Sequence, residues 1–525
     1  MLVTILILFL APLSLATTHL PLYRTSSRAL EKRNGQYTAI GLGDYLDITY
    51  NVLVEIGNTR APLVLDTGSS DLWLASDSCA GDCLDAGIAL YSSEQLQSTG
   101  LDVRLFYGDS RTGTHASGPI GLESVGIANL SQSGQVFAAI NDTNSTIFQT
   151  NSAGILGLGF PPISVIWRQL LQAQLASASS PVSKRSPLAP FPTNITAASI
   201  GQPPFPSFDF LSTTHSSRKR RRSNQSPLFS SASVLSSFAA YGPLFSRLIM
   251  QQALERPLVA TTLQRDTLQI GGDVGSLSLG GLPEGIQDNQ LTWVPVRAYS
   301  VDEGGLPPSP EAPNEVYPLV WEIAIDEVFF DGLKLPRSAL VSPAISISGL
   351  VDTGNSLIRG PRDIVNHIIQ RFGGPDYAFD CGEAHNLTFQ IGSVLFPVDP
   401  RDFAQPLPAD SPGPERCTAA LAVTDPPGNG GFLYSWSLGD PFLKSALIAY
   451  YYGNLTHPSQ DPPRIGLLST VPANAADQLR QATRIAVADG GVFPGALYVL
   501  YSWNIYANSN IGIKQSRKLL HPGRT

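Results

Sequence analysis

Two short segments hold the residues best suited to chemistry. The first reads Leu63-Val64-Leu65-Asp66-Thr67-Gly68-Ser69-Ser70. The second reads Ser348-Gly349-Leu350-Val351-Asp352-Thr353-Gly354-Asn355-Ser356. Each places Asp-Thr-Gly directly after apolar, strand-like residues. At average residue usage a given tripeptide arises about once in ten thousand positions, so two copies in matching contexts form an internal repeat. Read singly, each is an Asp-containing turn whose glycine supplies the tight backbone. Read together, they offer two carboxylates in equivalent settings. A lone carboxylate at its usual pKa is a poor base and cannot donate a proton at mildly acidic pH. Two carboxylates forced together cannot both ionise cheaply, so they hold one proton between them. Such a pair supplies a general base and a general acid at once. Such a pair can deprotonate a bound water with one carboxylate while the shared proton goes to an acceptor oxygen. That chemistry needs no metal, no cofactor and no covalent intermediate. The pair titrates as a unit, so neither Asp66 nor Asp352 has a pKa of its own.

Elements rich in β-branched and aromatic residues flank these segments. Asp47 to Ile56, Leu63 to Leu65, Leu101 to Leu105 and Trp321 to Ile325 have strand patterns. Ile166 to Leu175 and Leu244 to Leu254 carry apolar residues at helical spacing.

Several further motifs keep a fixed order around the repeat. Ser70-Asp71-Leu72-Trp73 follows the first Asp-Thr-Gly, and Tyr107-Gly108-Asp109 comes next. Ala153-Gly154-Ile155-Leu156-Gly157-Leu158-Gly159, Leu279-Gly280-Gly281 and Leu291-Thr292-Trp293-Val294-Pro295-Val296 follow in turn. Leu438-Gly439-Asp440-Pro441-Phe442 lies after the second copy. In this order the sequence resembles the pepsin-like aspartic peptidases, the fungal secreted type in particular, from about Tyr45 to Ser469. The resemblance implies a mostly β, bilobal fold with two barrel-like lobes around a central cleft and a flap hairpin. It implies hydrolysis of peptide bonds in extended polypeptides at acidic pH, with Asp66 and Asp352 catalytic. Thr67 and Thr353 would cross-link the two loops, Gly68 and Gly354 would allow close approach, and Ser69 would bond the outer oxygen of Asp66. Tyr107, Gly108 and Asp109 would form the flap tip, with Trp73 behind Tyr107 as its hydrogen-bond partner. Ile155 and Leu350 would line a pocket across the cleft. The sequence also departs from the family's pattern. Asn355 replaces the usual Thr or Ser beside the second aspartate; its amide can still donate a hydrogen bond, so activity with an altered dyad is expected. Ser437 stands where an apolar residue usually precedes Leu438. The alternative reading is a weak or inactive homologue that keeps the fold and acts as a binding protein.

Composition agrees with a β-rich globular chain. Of 525 residues 43% are hydrophobic and only 14% charged, with 47 Gly and 42 Pro. The net charge of -8 argues against a nucleic-acid partner. No Gly-x-Ser-x-Gly, His-Glu-x-x-His or phosphate-loop motif supports another hydrolase class. Residues 1–16 read as a secretory signal peptide. Lys32-Arg33 offers a dibasic processing site that makes 17–33 a short propeptide, although the resemblance implies a longer inhibitory one. An N-terminal lobe over 34–298, a Pro-rich linker over 299–318, a C-terminal lobe over 319–470 and an extension over 471–525 complete the division. Segment 177–238 reads as a flexible insertion rich in Ser and Pro, with seven basic residues against the single acid Asp209. Its Lys184-Arg185 and Arg218 to Arg222 runs make the 184–222 loop a second target for a dibasic-specific processing protease.

Cys79, Cys83, Cys381 and Cys417 allow three pairings. Cys79–Cys83 and Cys381–Cys417 are expected, because each then closes a loop within one region. Seven glycosylation sequons start at Asn129, Asn141, Asn144, Asn194, Asn224, Asn386 and Asn454. These features place the protein on the secretory route, secreted or vacuolar, as a monomeric glycoprotein made as a zymogen and acting on protein or peptide substrates. The uncharged run 490–513, followed by a basic tail, is a weaker sign of one membrane anchor.

Overall fold

The protein is described by a computed structural model covering residues 18–21, 49–80, 83, 87–108, 113–179, 205–212, 231–263, 275–373, 377–407, 416–428 and 430–488. The signal segment, the Lys32-Arg33 site, the 184–204 and 213–230 parts of the insertion, Asp109, Asn194, Asn224 and the 490–513 run lie outside the described residues.

Seven strands build the first lobe: β1 (Asn51–Ile56), β2 (Thr59–Asp66), β3 (Leu72–Ala75), β4 (Gln97–Tyr107), β5 (Thr114–Ile127), β6 (Leu130–Ile140) and β7 (Gly154–Gly157). β1 shows why the segment is a strand. Val52, Val54 and Ile56 point into the core while Glu55 is exposed, a period of two. The order is β1-β2-β7-β3-β6-β5-β4, and β1 also pairs with β5. Six strands therefore close into a barrel with no free edge. β4 is left to form a long hairpin with the start of β5, and Tyr107 stands at its tip.

Helix α1 (Val165–Ser179) and helix α2 (Ser231–Tyr241) then lead into β8 (Leu258–Thr262), β9 (Ser276–Leu279) and β10 (Thr292–Tyr299). The second lobe contributes β11 (Tyr317–Ala324), β12 (Ser348–Val351), β13 (Ile358–Gly360), β14 (Leu421–Val423), β15 (Trp436–Leu438), β16 (Ala446–Tyr451) and β17 (Arg464–Ser469). With the short strand Thr18–Pro21 these form one eleven-stranded sheet, in the order Thr18–Pro21, β9, β8, β16, β17, β10, β11, β12, β15, β13, β14. Four residues of the expected propeptide thus pair antiparallel with β9 at the sheet edge.

The internal repeat of the sequence is a repeat of topology. β2 runs parallel to β7, and β7 pairs antiparallel with β3. In the second lobe β12 runs parallel to β15, and β15 pairs antiparallel with β13. Each Asp-Thr-Gly lies at the end of the first strand of its trio, braced by the strand beside it.

Aromatic residues join the lobes. Trp321 Nε1 and the Tyr452 hydroxyl both donate to the Leu158 carbonyl, at 3.0 and 2.6 Å. Phe160 packs on Trp321 with ring centroids 4.4 Å apart. The expected disulfides are both present, Cys79–Cys83 and Cys381–Cys417. The second closes a loop 36 residues apart in sequence, a constraint worth about 3–4 kcal/mol on the unfolded chain.

Three pieces of segment 177–238 are described, and each is part of or beside a helix. Residues 177–179 end α1, and 231–238 belong to α2, whose Val234, Leu235 and Phe238 are buried. Between them, residues 205–212 dock with Phe208 buried among Trp167, Tyr299, Tyr317 and Leu433. The Phe205 ring lies against Tyr299 and Phe432. A polar, Pro-rich average masked these apolar residues, whose burial outweighs the ordering cost of a short segment.

Asn129, Asn141, Asn144 and Asn386 are exposed. Asn454 is half-buried, and its Oδ1 accepts from the backbone N–H groups of Thr456 and His457. Among the described residues no helix is long and apolar enough to cross a membrane.

Candidate active site

The two Asp-Thr-Gly loops meet between the lobes. Thr67 N donates to Thr353 Oγ1 at 3.0 Å, and Thr353 N donates to Thr67 Oγ1 at 3.0 Å. Each hydroxyl then donates across the interface: Thr67 Oγ1 to the Val351 carbonyl at 2.8 Å, Thr353 Oγ1 to the Leu65 carbonyl at 2.6 Å. These four buried bonds join residues more than 280 apart in sequence and fix the two loops to one another.

The glycines show how near the carboxylates are. A Cβ built on Gly354 would lie 2.4 Å from Asp66 Oδ1, and one on Gly68 would lie 2.6 Å from both Asp352 oxygens. No L-residue with a side chain fits either position without moving a carboxylate. Each aspartate takes a backbone bond from its own loop, Gly68 N to Asp66 Oδ1 at 2.8 Å and Gly354 N to Asp352 Oδ1 at 2.9 Å. Each carboxyl group is close enough to act on the protonation of the other.

Burial raises the proton affinity of both. For Asp66 desolvation outweighs the Ser69, Gly68 and Asp352 hydrogen bonds, which pull the other way. For Asp352 desolvation is again the largest cause, and the Asp66 charge adds to it. The pair therefore retains a proton at pH values where an exposed aspartate has lost it.

The outer oxygens are treated unequally. Ser69 Oγ donates to Asp66 Oδ2 at 2.5 Å. Asn355, at the equivalent place in the second loop, does not serve Asp352. Its Nδ2 donates to Ser437 Oγ at 2.8 Å, and its Oδ1 accepts from Arg359 Nε at 3.1 Å and from Leu357 N at 3.3 Å. The amide expected to donate to the dyad is turned away from it. Ser437, conspicuous as a polar residue in an apolar slot, is what turns it.

At the hairpin tip the Tyr107 hydroxyl accepts from Trp73 Nε1 at 2.8 Å, and the rings lie 6.4 Å apart. Burial, and then the charges of Asp71 and Asp66, hold the Tyr107 phenol neutral. Gly108 continues the hairpin at φ +89°. Ile155 sits beside Trp73 in register on β7, and Leu350 lies opposite Ser437 on β12. Both are buried.

Four supporting residues received no individual role from the sequence reading. Asp71 is a buried carboxylate at the start of α1, accepting from Ser164 Oγ at 2.6 Å, Val165 N at 2.8 Å and Ile166 N at 3.1 Å, bonds that offset part of the rise in proton affinity that burial causes. It ties the segment after the first loop to the helix, while Ser70 Oγ donates to the Phe160 carbonyl at 2.8 Å. Trp321 and Tyr452, from the other lobe, hold the carbonyl of Leu158, whose own N–H donates to the Asp66 carbonyl at 2.7 Å. The Asp-Leu-Trp motif signalled Asp71. Nothing local signalled the two aromatics. Among the described residues no cluster of three or more His, Cys, Asp or Glu could hold a metal ion.

The family model for eukaryotic aspartyl protease matches residues 49–179 and 228–457. The chain belongs to this pepsin-like family. The break in the match coincides with the insertion. Cathepsin E of Mus musculus is 24% identical over 443 residues, covering 82% of each chain. Pepsin A of Sus scrofa is 24% identical over 417 residues, covering 77% of this chain and 78% of its own. An aspartic protease of Phaffia rhodozyma is 24% identical over 435 residues, covering 80% of this chain and 75% of its own. As a eukaryotic aspartyl protease the chain is a hydrolase acting on peptide bonds.

Proposed function

We propose that this aspartyl protease is an endopeptidase that cleaves extended polypeptides at acidic pH through a water held between Asp66 and Asp352. The observation that carries this reading is the apposition of two buried carboxylates by reciprocal threonine bonds, with no space for a Cβ on either glycine. One carboxylate takes a proton from the water, the water attacks the peptide carbonyl, and the shared proton passes to the carbonyl oxygen. The tetrahedral diol then collapses, its C–N bond breaks, and the amine leaves with a proton from the pair. Tyr107 closes over an extended substrate, with Trp73 holding its hydroxyl, and Ile155 and Leu350 line the apolar pocket walls. The substrate lies as an added strand, so backbone bonds hold it and alternate side chains enter pockets.

Two disulfides and exposed sequons support a secretory route, with processing after Arg33 by a dibasic-specific protease. The test of activity is cleavage of denatured haemoglobin from acidic to neutral pH, with and without pepstatin, beside Asp352→Asn. Acid-dependent cleavage abolished by both is the expected result. Folded, processed protein that cleaves nothing at any pH overturns the reading. The turned-away Asn355 then favours the second reading, a binding homologue without turnover.

A further inference from the structure

The second carboxylate sits in a different electrostatic setting from the first. Asp66 has a hydroxyl donor on its outer oxygen, from Ser69. Among the described residues no hydroxyl or amide side chain donates to Asp352. The side chain of Asn355, three residues after Asp352, instead accepts from a guanidinium. Arg359 lies on β13, directly opposite Ser437 of β15, which lies directly opposite Leu350 of β12. On this row Arg359 Nε bonds Asn355 Oδ1, and Asn355 Nδ2 bonds Ser437 Oγ. The chain Arg359–Asn355–Ser437 uses both ends of the amide and fixes its rotamer away from Asp352.

We infer that Arg359 is a positioning residue for peptide hydrolysis: it locks Asn355 onto Ser437 and supplies, as a nearby positive charge, the stabilisation of ionised Asp352 that a hydroxyl gives Asp66. This rests on the reading of Asp66 and Asp352 as the reacting pair. Among the described residues, the other groups with an electrostatic effect around the pair are mostly acids and neutral phenols, and the cation Arg168 acts on Asp71. Asp66 comes from the first loop, Tyr107 from the hairpin with Asp71 behind it, and Tyr434 from the segment before β15 with Glu322 of β11 and Asp425 near it. Tyr450 comes from β16 with Asp440 near it. The acids among these oppose a second negative charge, and the electrostatic effect of Arg359 on Asp352 runs in the inferred direction. A cation beside a shared-proton pair lowers both of its proton-release steps, so it sets the pH window of the singly protonated form.

The experiment compares wild type with Arg359→Met, Arg359→Lys and Asn355→Thr. Two readouts are taken: the pH profile of kcat/KM, and the titration of the aspartate carboxyl carbons by 13C NMR, which needs no turnover. Arg359→Met is expected to move both limbs of the profile, and both carboxyl titration steps, upward by about half a pH unit or more. Arg359→Lys keeps the charge and is expected to restore most of the shift. Asn355→Thr places a hydroxyl beside Asp352 and is expected to move the limbs downward. Unmoved limbs and titration steps in Arg359→Met, in an enzyme that turns over, overturn the inference and leave the protease reading intact. Titration steps that shift as expected in a protein without turnover support the charge assignment while the protease reading fails.

Discussion

Gly354→Ala tests whether the two carboxylates work together at the separation described. The new methyl carbon would lie 2.4 Å from Asp66 Oδ1 and 2.7 Å from Asp66 Cγ, with Asp352 Oδ1 at 3.2 Å. Ordinary carbon–oxygen contact begins near about 3.4 Å, so Asp66 must retreat by about 1 Å. The carboxylate has little room to do so, because Gly68 N and Ser69 Oγ hold its two oxygens. Displacement of a reacting group by about 1 Å costs about a hundredfold in rate. The backbone of Gly354 has no left-handed φ to protect, so alanine strains little beyond this contact. Folding should therefore survive, at a cost of about one hydrogen bond, roughly 1 kcal/mol. The assay is kcat/KM on a peptide substrate at the pH of greatest wild-type activity, alongside a thermal melt of the same preparation. An expected result is a loss of about two orders of magnitude in kcat/KM with a Tm lowered by a few degrees. Wild-type kcat/KM in a folded Gly354→Ala protein would refute the apposition of the carboxylates as the basis of activity.

Other perturbations probe separate parts of the molecule. Asp352 titrates above its ordinary 3.8 when folded, so the folded state binds more protons than the unfolded one and stability falls as pH rises from that value through the folded pKa. Asp352→Asn should flatten this fall, giving a smaller drop in Tm than wild type between about pH 4 and neutrality; an unchanged slope would remove the dyad as its cause. Trp73→Phe deletes the donor to the Tyr107 hydroxyl, and steady-state kinetics should show kcat/KM lowered about fivefold, the worth of about 1 kcal/mol, with the melt lowered by a few degrees because a fully buried side chain shrinks. Phe205→Ala removes the ring that packs on Tyr299 and Phe432, and denaturant unfolding should register a loss of about 1–2 kcal/mol. No change there would mean that the docked part of the insertion adds nothing to stability.

Much of this protein was legible in one dimension because its chemistry is local and repeated. Asp66 and Asp352 each follow an apolar strand and precede a glycine, and that pattern alone announced two equivalent carboxylates. The alternation in β1 and a composition low in charge and rich in Gly and Pro announced the β architecture. The partners of Thr67 and Thr353 lie more than 280 residues away, so only the resemblance to known peptidases supplied them in advance. The averaged composition of 177–238 hid Phe205, Phe208 and Val234, since a window of polar residues says nothing about what a few aromatic rings will find to pack against.

Asn355 marks the division most clearly. The sequence determined that an amide, with one donor end and one acceptor end, stands beside the second aspartate. The direction of those ends depended on β13 bringing Arg359, and β15 bringing Ser437, to the same row as Leu350. The same holds for Trp321 and Tyr452, ordinary core aromatics in sequence, which reach the Leu158 carbonyl only once the lobes close. A residue's chemistry is carried by its type. Which neighbour receives its hydrogen bond is fixed by strand register and lobe packing, and these are tertiary quantities.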